Sequence, residues 1–153
     1  MNTEIYDPNK QKKVILHKGL GDKLAIIFPA NDDFIPLIIK KLQDNNEIDF
    51  LILNKEELDS DTYEYLEAFN FINQSVVYVS DKMKEIQRNK FRIARKPILD
   101  KLDIDFMRAI ERGDTQKQQE ITSKKQQLRD ITTISLPEDL VSIKNTWPEI
   151  LNS

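Results

Sequence analysis

The chain has 153 residues, of which 39% are hydrophobic and 32% charged, with a formal net charge of -3 and no cysteine. Such a composition suits a small core carrying long solvated helices, and it excludes a disulfide framework and a thiolate metal site. No run approaches the roughly 20 apolar residues needed to cross a bilayer and no signal segment opens the chain, so no membrane partner is expected.

Charge is spread unevenly. Residues 1–79 hold 8 Lys and Arg against 14 Asp and Glu, a balance of -6, whereas residues 80–153 hold 15 against 12, a balance of +3. The change of sign sets an expected boundary near Ser80.

In chain order, residues 1–11 are polar, contain Pro8 and read as a frayed lead-in. Val14-Ile15-Leu16 and Leu24-Ala25-Ile26-Ile27-Phe28 are apolar runs around Lys18-Gly19-Leu20-Gly21-Asp22, a hairpin signature. A phosphate-binding loop would need more glycines than Gly19 and Gly21 and a helix directly after them, yet Leu24–Ile27 reads as strand. His17 is the sole histidine, and the sequence gathers no partners around it for acid/base or zinc chemistry. Asn31, Asp32 and Asp33 offer N-caps for a helix through Leu42, with Pro36 in its first turn and an apolar face of Phe34, Leu37, Ile38 and Leu42. Phe50–Leu53 predicts a third strand. Glu56, Glu57, Asp59 and Asp61 form a solvated, capping stretch without calcium-loop spacing. A helical turn is expected from Ser60, since Tyr63, Leu66 and Phe69 recur at helical spacing, and Val76–Val79 is either a fourth strand or an extended arm.

From residue 80 the pattern is helical. Ser80 or Asp81 can cap a helix whose stripe begins at Met83, Ile86 and Phe91. Pro97 removes one helical hydrogen bond at a cost of about 3 kcal/mol, so one helix kinks there or a second begins. Leu99, Leu102, Phe106 and Ala109 or Ile110 then step by three and four. Gly113 is a C′ residue, and Asp114 or Thr115 an N-cap with Gln118 in capping-box position. Ile121, Lys125, Leu128 and Ile131 continue the face, and so short a break forces the helices antiparallel. Ser135-Leu136-Pro137-Glu138 opens a last helix with Leu136, Leu140, Ile143, Trp147 and Leu151 on one stripe, ending before Pro148. The expected fold class is therefore α+β. A small β-rich domain (1–79) precedes a long antiparallel helical hairpin (80–132) and a short C-terminal helix (133–153).

Asp100 and Asp103 lie one helical turn apart among Lys96, Lys101 and Arg108, so an exposed ion-pair network accounts for them better than an acid/base pair. Lys82, Lys84, Arg88, Lys90, Arg92, Arg95 and Lys96 form the basic stretch. The overall acidity and the lack of interleaved aromatics argue against nucleic acid and for a solvated face, or one that docks an acidic partner or the acidic N-terminal half. Trp147 either pins the last helix to its own hairpin or anchors a partner.

Arg92-Ile93-Ala94-Arg95-Lys96-Pro97-Ile98-Leu99, Leu102–Ala109, Gly113-Asp114, Leu128-Arg129-Asp130-Ile131-Thr132 and Trp147-Pro148-Glu149-Ile150-Leu151 follow one another through the C-terminal half. In these elements the chain resembles small tailed-bacteriophage proteins encoded beside tail-fibre genes, the tail-fibre or tail-assembly chaperone group. Phe28-Pro29-Ala30 and the stretch from Leu53 to Phe69 extend the likeness into the first half. The resemblance implies a non-enzymatic assembly factor that binds a fibre or tail protein through amphipathic helices. Phe91, Arg92, Arg95, Ile98, Leu102, Phe106, Leu128 and Trp147 would form the partner-binding surface, with no catalytic, cofactor or metal residue. The host cytoplasm during assembly is the implied location, or the virion tail if the protein is a permanent fibre adaptor. A homo-oligomer is compatible with either, and a nucleic-acid-binding regulator is the third reading.

Overall fold

The structure, a computed structural model, describes residues 11–152, so the lead-in expected at the N-terminus lies, but for Gln11, outside the described residues. It is mixed α and β, with strands confined to the N-terminal part and long helices following them. The contacts divide the chain into two compact units, Met1–Lys82 and Met83–Ser153.

In the first unit, β1 (Lys13–Lys18) lies between β2 (Leu24–Ile27) and β3 (Phe50–Asn54) in an antiparallel sheet. Ile15 stands opposite both Ile27 and Ile52. Val14, Ile15 and Leu16 are all fully buried, which explains why the run is continuously apolar: a central strand covered on both faces has no polar side to alternate with. The β1–β2 turn closes with the Gly19 amide donating to the Lys23 carbonyl at 2.8 Å, and Gly21 takes φ +66°, a conformation that a side chain resists.

Helix α1 (Ile35–Asp44) covers Ile15 with Ile35, Ile38, Ile39 and Leu42, joined by Ile27 and Phe50. This corrects the predicted face, because Phe34 and Leu37 are exposed. The reason is phase. The Asn31 side chain caps a 3-10 turn over Asp32–Phe34, and the α-helix starts only at Ile35 with Pro36 in its first turn.

After β3, Asp59 caps α2 (Ser60–Glu64), which gives way to a 3-10 turn at Leu66–Ala68. The predicted helical stripe through Tyr63, Leu66 and Phe69 does not form. Tyr63 is exposed, while Tyr65, Ala68 and Phe69 are buried and Phe69 already belongs to a strand. That strand, β4 (Phe69–Ile72), pairs with β5 (Ser75–Tyr78), so the apolar Val76–Val79 run is strand rather than arm. Their two-residue turn places Asn73 and Gln74 at φ 51° and 58°, the left-handed pair that matches hairpin twist. Phe71, fully buried, donates its amide to the Asp22 carbonyl at 2.8 Å and so ties the two hairpins together.

Helix α3 (Ser80–Glu111) is one continuous helix with Pro97 inside it, and α4 (Thr115–Asp130) follows. Pro97 is exposed, so the carbonyl that its missing N–H would have served is on the solvent side, where the penalty is least. The break between the helices has the expected chemistry. Gly113 takes φ +64°, its amide donates to Ile110 and that of Asp114 to Ala109, the pairing of a Schellman end. Asp114 then caps α4 by accepting from the Lys117 amide at 2.9 Å. Gln118 makes no capping box; its carboxamide donates instead to the Ala109 carbonyl at 3.3 Å. Contacts between residues 109 and 118, 103 and 125, and 95 and 128 make the pair antiparallel.

Phe91, Leu128, Ile131, Leu136 and Leu151 share one core, with Ala94, Ile98, Leu99 and Leu102 packed around it. The C-terminal segment is thus part of the same packed unit as the hairpin rather than a domain of its own. Its helix is also shorter than predicted. Helix α5 spans Leu140–Asn145, because the Asp139 carboxylate accepts from the Ser142 amide and fixes the start there. A 3-10 turn at Glu149–Asn152 completes it and brings Leu151 down onto the core.

Candidate functional site

The eight residues predicted to meet a partner fall into three groups. Phe91 and Leu128 are fully buried in the helical core. As part of a partner-binding surface they are corrected: they fill the interior that gives the hairpin its shape, and neither offers a contact to another protein. Ile98, Leu102 and Phe106 are half-buried along α3. Lys125 sits over the Phe106 ring, 5.5 Å from its centroid, and pairs with Asp103. Arg92, Arg95 and Trp147 are the polar or exposed members.

Arg95 reaches across the hairpin and donates to the carbonyls of Leu128 and Arg129 at 3.1 and 3.0 Å. Those are end-of-helix carbonyls without intrahelical partners, and a guanidinium there also meets the negative end of the α4 dipole. Its role is to clamp the hairpin. Arg92 pairs with Glu85 at 2.6 Å, and this hydrogen bond, with the attraction behind it, holds the Glu85 carboxyl below its ordinary range. Trp147 keeps 42% of its surface open while its ring meets Phe91 edge-on, centroids 5.7 Å apart. Its indole N–H donates to Asn152 at 3.1 Å. The ring is thus held from one side and presented on the other.

The basic stretch is drawn inward as well. Lys82 donates to Asn70, Lys84 pairs with Glu138, Arg92 with Glu85, and Arg95 caps α4. With at least four of the seven cations engaged by the protein itself, these residues do not form the continuous open stripe that phosphate binding uses.

Concavities are formed in both units. In the helical unit a cleft of about 310 Å³ runs between α3 and α4, lined by Ile98, Leu102 and Ile121 and rimmed by Lys101, Lys117, Lys124, Asp105 and Glu120. Periodicity had already named Leu102, and Ile98 was among the residues expected to meet a partner; the lysine rim needed the hairpin register. In the N-terminal unit a cleft of about 610 Å³ is lined by Gln11, Phe28, Ala30, Lys55, Leu58, Ser60 and Tyr63. There the Phe28 and Tyr63 rings meet edge-on at 5.6 Å. Sequence reading missed this cleft, since its lining comes from three separated stretches, at Gln11, residues 28–30 and residues 55–63, with no common period. Apolar walls and the Lys55 ammonium equip it to hold a ligand; among the described residues its lining contains no carboxylate or imidazole.

His17 does acquire a neighbour that the sequence did not reveal: Glu47 lies 3.0 Å from its Nδ1. The two are within ion-pair reach but poorly aligned for a hydrogen bond, and the same ring nitrogen is 3.2 Å from the Lys18 carbonyl. Among the described residues no cluster of three His, Asp or Glu side chains suited to a metal ion is formed. Compared with models of protein families, with curated proteins and with solved structures, the chain matches none.

Proposed function

We propose that this chain is a non-enzymatic assembly factor for a bacteriophage tail fibre, which covers apolar surface on a fibre or tail protein until that protein assembles. The reading rests on the likeness of its C-terminal half to the tail-fibre chaperone group. The single observation that best supports it is the α3–α4 cleft, with an apolar floor at Ile98, Leu102 and Ile121 and a rim where lysines 101, 117 and 124 outnumber Asp105 and Glu120, the latter paired with Lys117. A cleft of this kind takes an apolar segment flanked by carboxylates, because the floor gains from desolvation and the rim from charge complementarity. The half-open Trp147 ring adds an aromatic anchor of the type enriched at binding hot spots.

Co-expression with the fibre protein of the same phage is the test. The expected result is co-purification and a gain in soluble fibre, both reduced by the surface reversals Lys117→Glu and Lys124→Glu together. No association and no gain would overturn the proposal. Mass spectrometry of purified particles separates its two forms: absence from the particle marks a transient chaperone, and stoichiometric presence a permanent adaptor.

A further inference from the structure

Helix α3 carries a second apolar stripe that the hairpin does not use. Ile93, Ile104 and Met107 are 66%, 55% and 58% exposed, and Pro97 is exposed among them. At 3.6 residues per turn these four fall on one face, opposite the Phe91, Ile98, Leu102 and Ala109 side that packs inward. Isolated exposed apolar residues are ordinary, but a row of four along one helix face, rimmed by charge, has the anatomy of an interface.

The charges around the row say which partner fits. Asp100 and Glu111 lie near its centre line, and Lys90, Lys101 and Arg108 along one shoulder. Asp100, Lys101 and Glu111 are all exposed. Place a second copy of α3 antiparallel across this face, with a two-fold axis between residues 100 and 101. Pro97 then meets Ile104 of the other copy, while Ile93 and Met107 fall one residue out of step, about 1.5 Å apart along the axis. In the same register Asp100 faces Lys101, and Glu111 faces Lys90. One register satisfies both the apolar row and the opposite charges, and the two-fold repeats each pairing. That is the self-complementarity an isologous dimer requires.

We propose that the chain forms an antiparallel homodimer through this outer face of α3, crossing at Asp100 and Lys101. The surface is separate from the α3–α4 cleft, so the proposal does not depend on the tail-assembly reading.

Sedimentation analysis of the full chain, with and without substitutions, tests it. The unsubstituted protein is expected to sediment as a dimer, and Ile104→Glu to weaken association at least about tenfold with an unchanged far-UV circular dichroism spectrum. Asp100→Lys or Lys101→Asp alone sets like charges face to face and should have the same effect, whereas the double exchange Asp100→Lys with Lys101→Asp should restore the dimer. Because the chain has no cysteine, single cysteines report the register directly. Asp100→Cys, near the centre line and beside the axis, should cross-link two copies on oxidation, and Met107→Cys should not, its counterpart being about 20 Å away along the helix at 1.5 Å per residue. A monomer at every concentration, a dimer indifferent to Ile104→Glu, a double exchange that stays monomeric, or cross-linking through residue 107 in preference to 100 would each overturn the proposal.

Discussion

In β1 three consecutive residues, Val14, Ile15 and Leu16, are fully buried, whereas along the whole of α3 only Met83, Gln87, Phe91 and Ala109 are. The contrast is one of coverage. A central strand has neighbours at both edges and is covered on both faces, so every side chain finds an interior. Helix α3 runs for 32 residues beside an α4 of 16, so much of its length has no helical partner within the hairpin. Stability in the N-terminal unit is therefore shared among adjacent apolar residues of the sheet. In the helical unit it is concentrated in a few large anchors, and the remaining surface is left for charge and for other molecules.

The largest effect that would test this contrast is at Phe91. Phe91→Ala should lower stability by about 3–5 kcal/mol, since it empties the centre of the helical core. Ile15→Val, which trims one methyl from a densely shared site, should lower it by only about 0.5–1.5 kcal/mol. Urea denaturation of the two variants gives the comparison, and equal losses would break it.

Gln87 sharpens the picture of how the C-terminal segment is held. Its buried carboxamide donates to the Thr146 carbonyl at 2.7 Å, with Oε1 unpartnered among the described residues. Gln87→Ala leaves that carbonyl without its donor and should cost about 1–3 kcal/mol. Hydrogen exchange should report the loss first at the amides of α5.

Two turn substitutions should act in opposite directions, each by about 1 kcal/mol, because a left-handed backbone is costly for any residue with a Cβ. Gly113→Ala destabilises purely through its φ of +64°, as an added Cβ would meet nothing within 4 Å. Gln74→Gly stabilises by relieving φ 58° in the β4–β5 turn. Thermal melts of the two variants should move to opposite sides of the parent.

The smallest effect is in pH. Hydrogen bonds from Ser142 hold the Asp139 carboxyl below its ordinary value of 3.8, and the bond from Arg92 does the same to Glu85 below 4.5. Carboxyls depressed in this way stabilise the fold above their unfolded values and lose that contribution as pH falls through the folded ones. The melting temperature should therefore decline on acidification below the ordinary carboxylate range, less steeply in Asp139→Asn. An identical slope in that variant would exclude the cap as its source.

The parts legible in the sequence share a local cause. Gly113 and Asp114 marked the end of one helix and the start of the next because helix termination depends on one left-handed residue and one capping oxygen. The β1–β2 hairpin was legible for a similar reason, glycines between two apolar runs. The β4–β5 hairpin was not, since its turn is Asn73-Gln74 where an Asn-Gly pair would have announced it. Of the candidate interaction residues, Leu102 lines the cleft as its period suggested, but Phe91 and Leu128 belong to the same predicted face and are buried. Helical phase assigns residues to a face; it does not say how deeply the partner helix covers them.

The sequence by itself determined the first three strands, the change from strand to helix near residue 80, the sharp turn at Gly113 and the inward stripe of the hairpin, all consequences of short-range backbone chemistry and periodicity. Tertiary structure alone decided that the C-terminal segment closes over the hairpin's own core, that lysines from two helices ring one cleft, and that α3 keeps a second apolar row facing outward. These depend on which surfaces meet, and contact between residues far apart in the chain leaves no periodic trace in either segment.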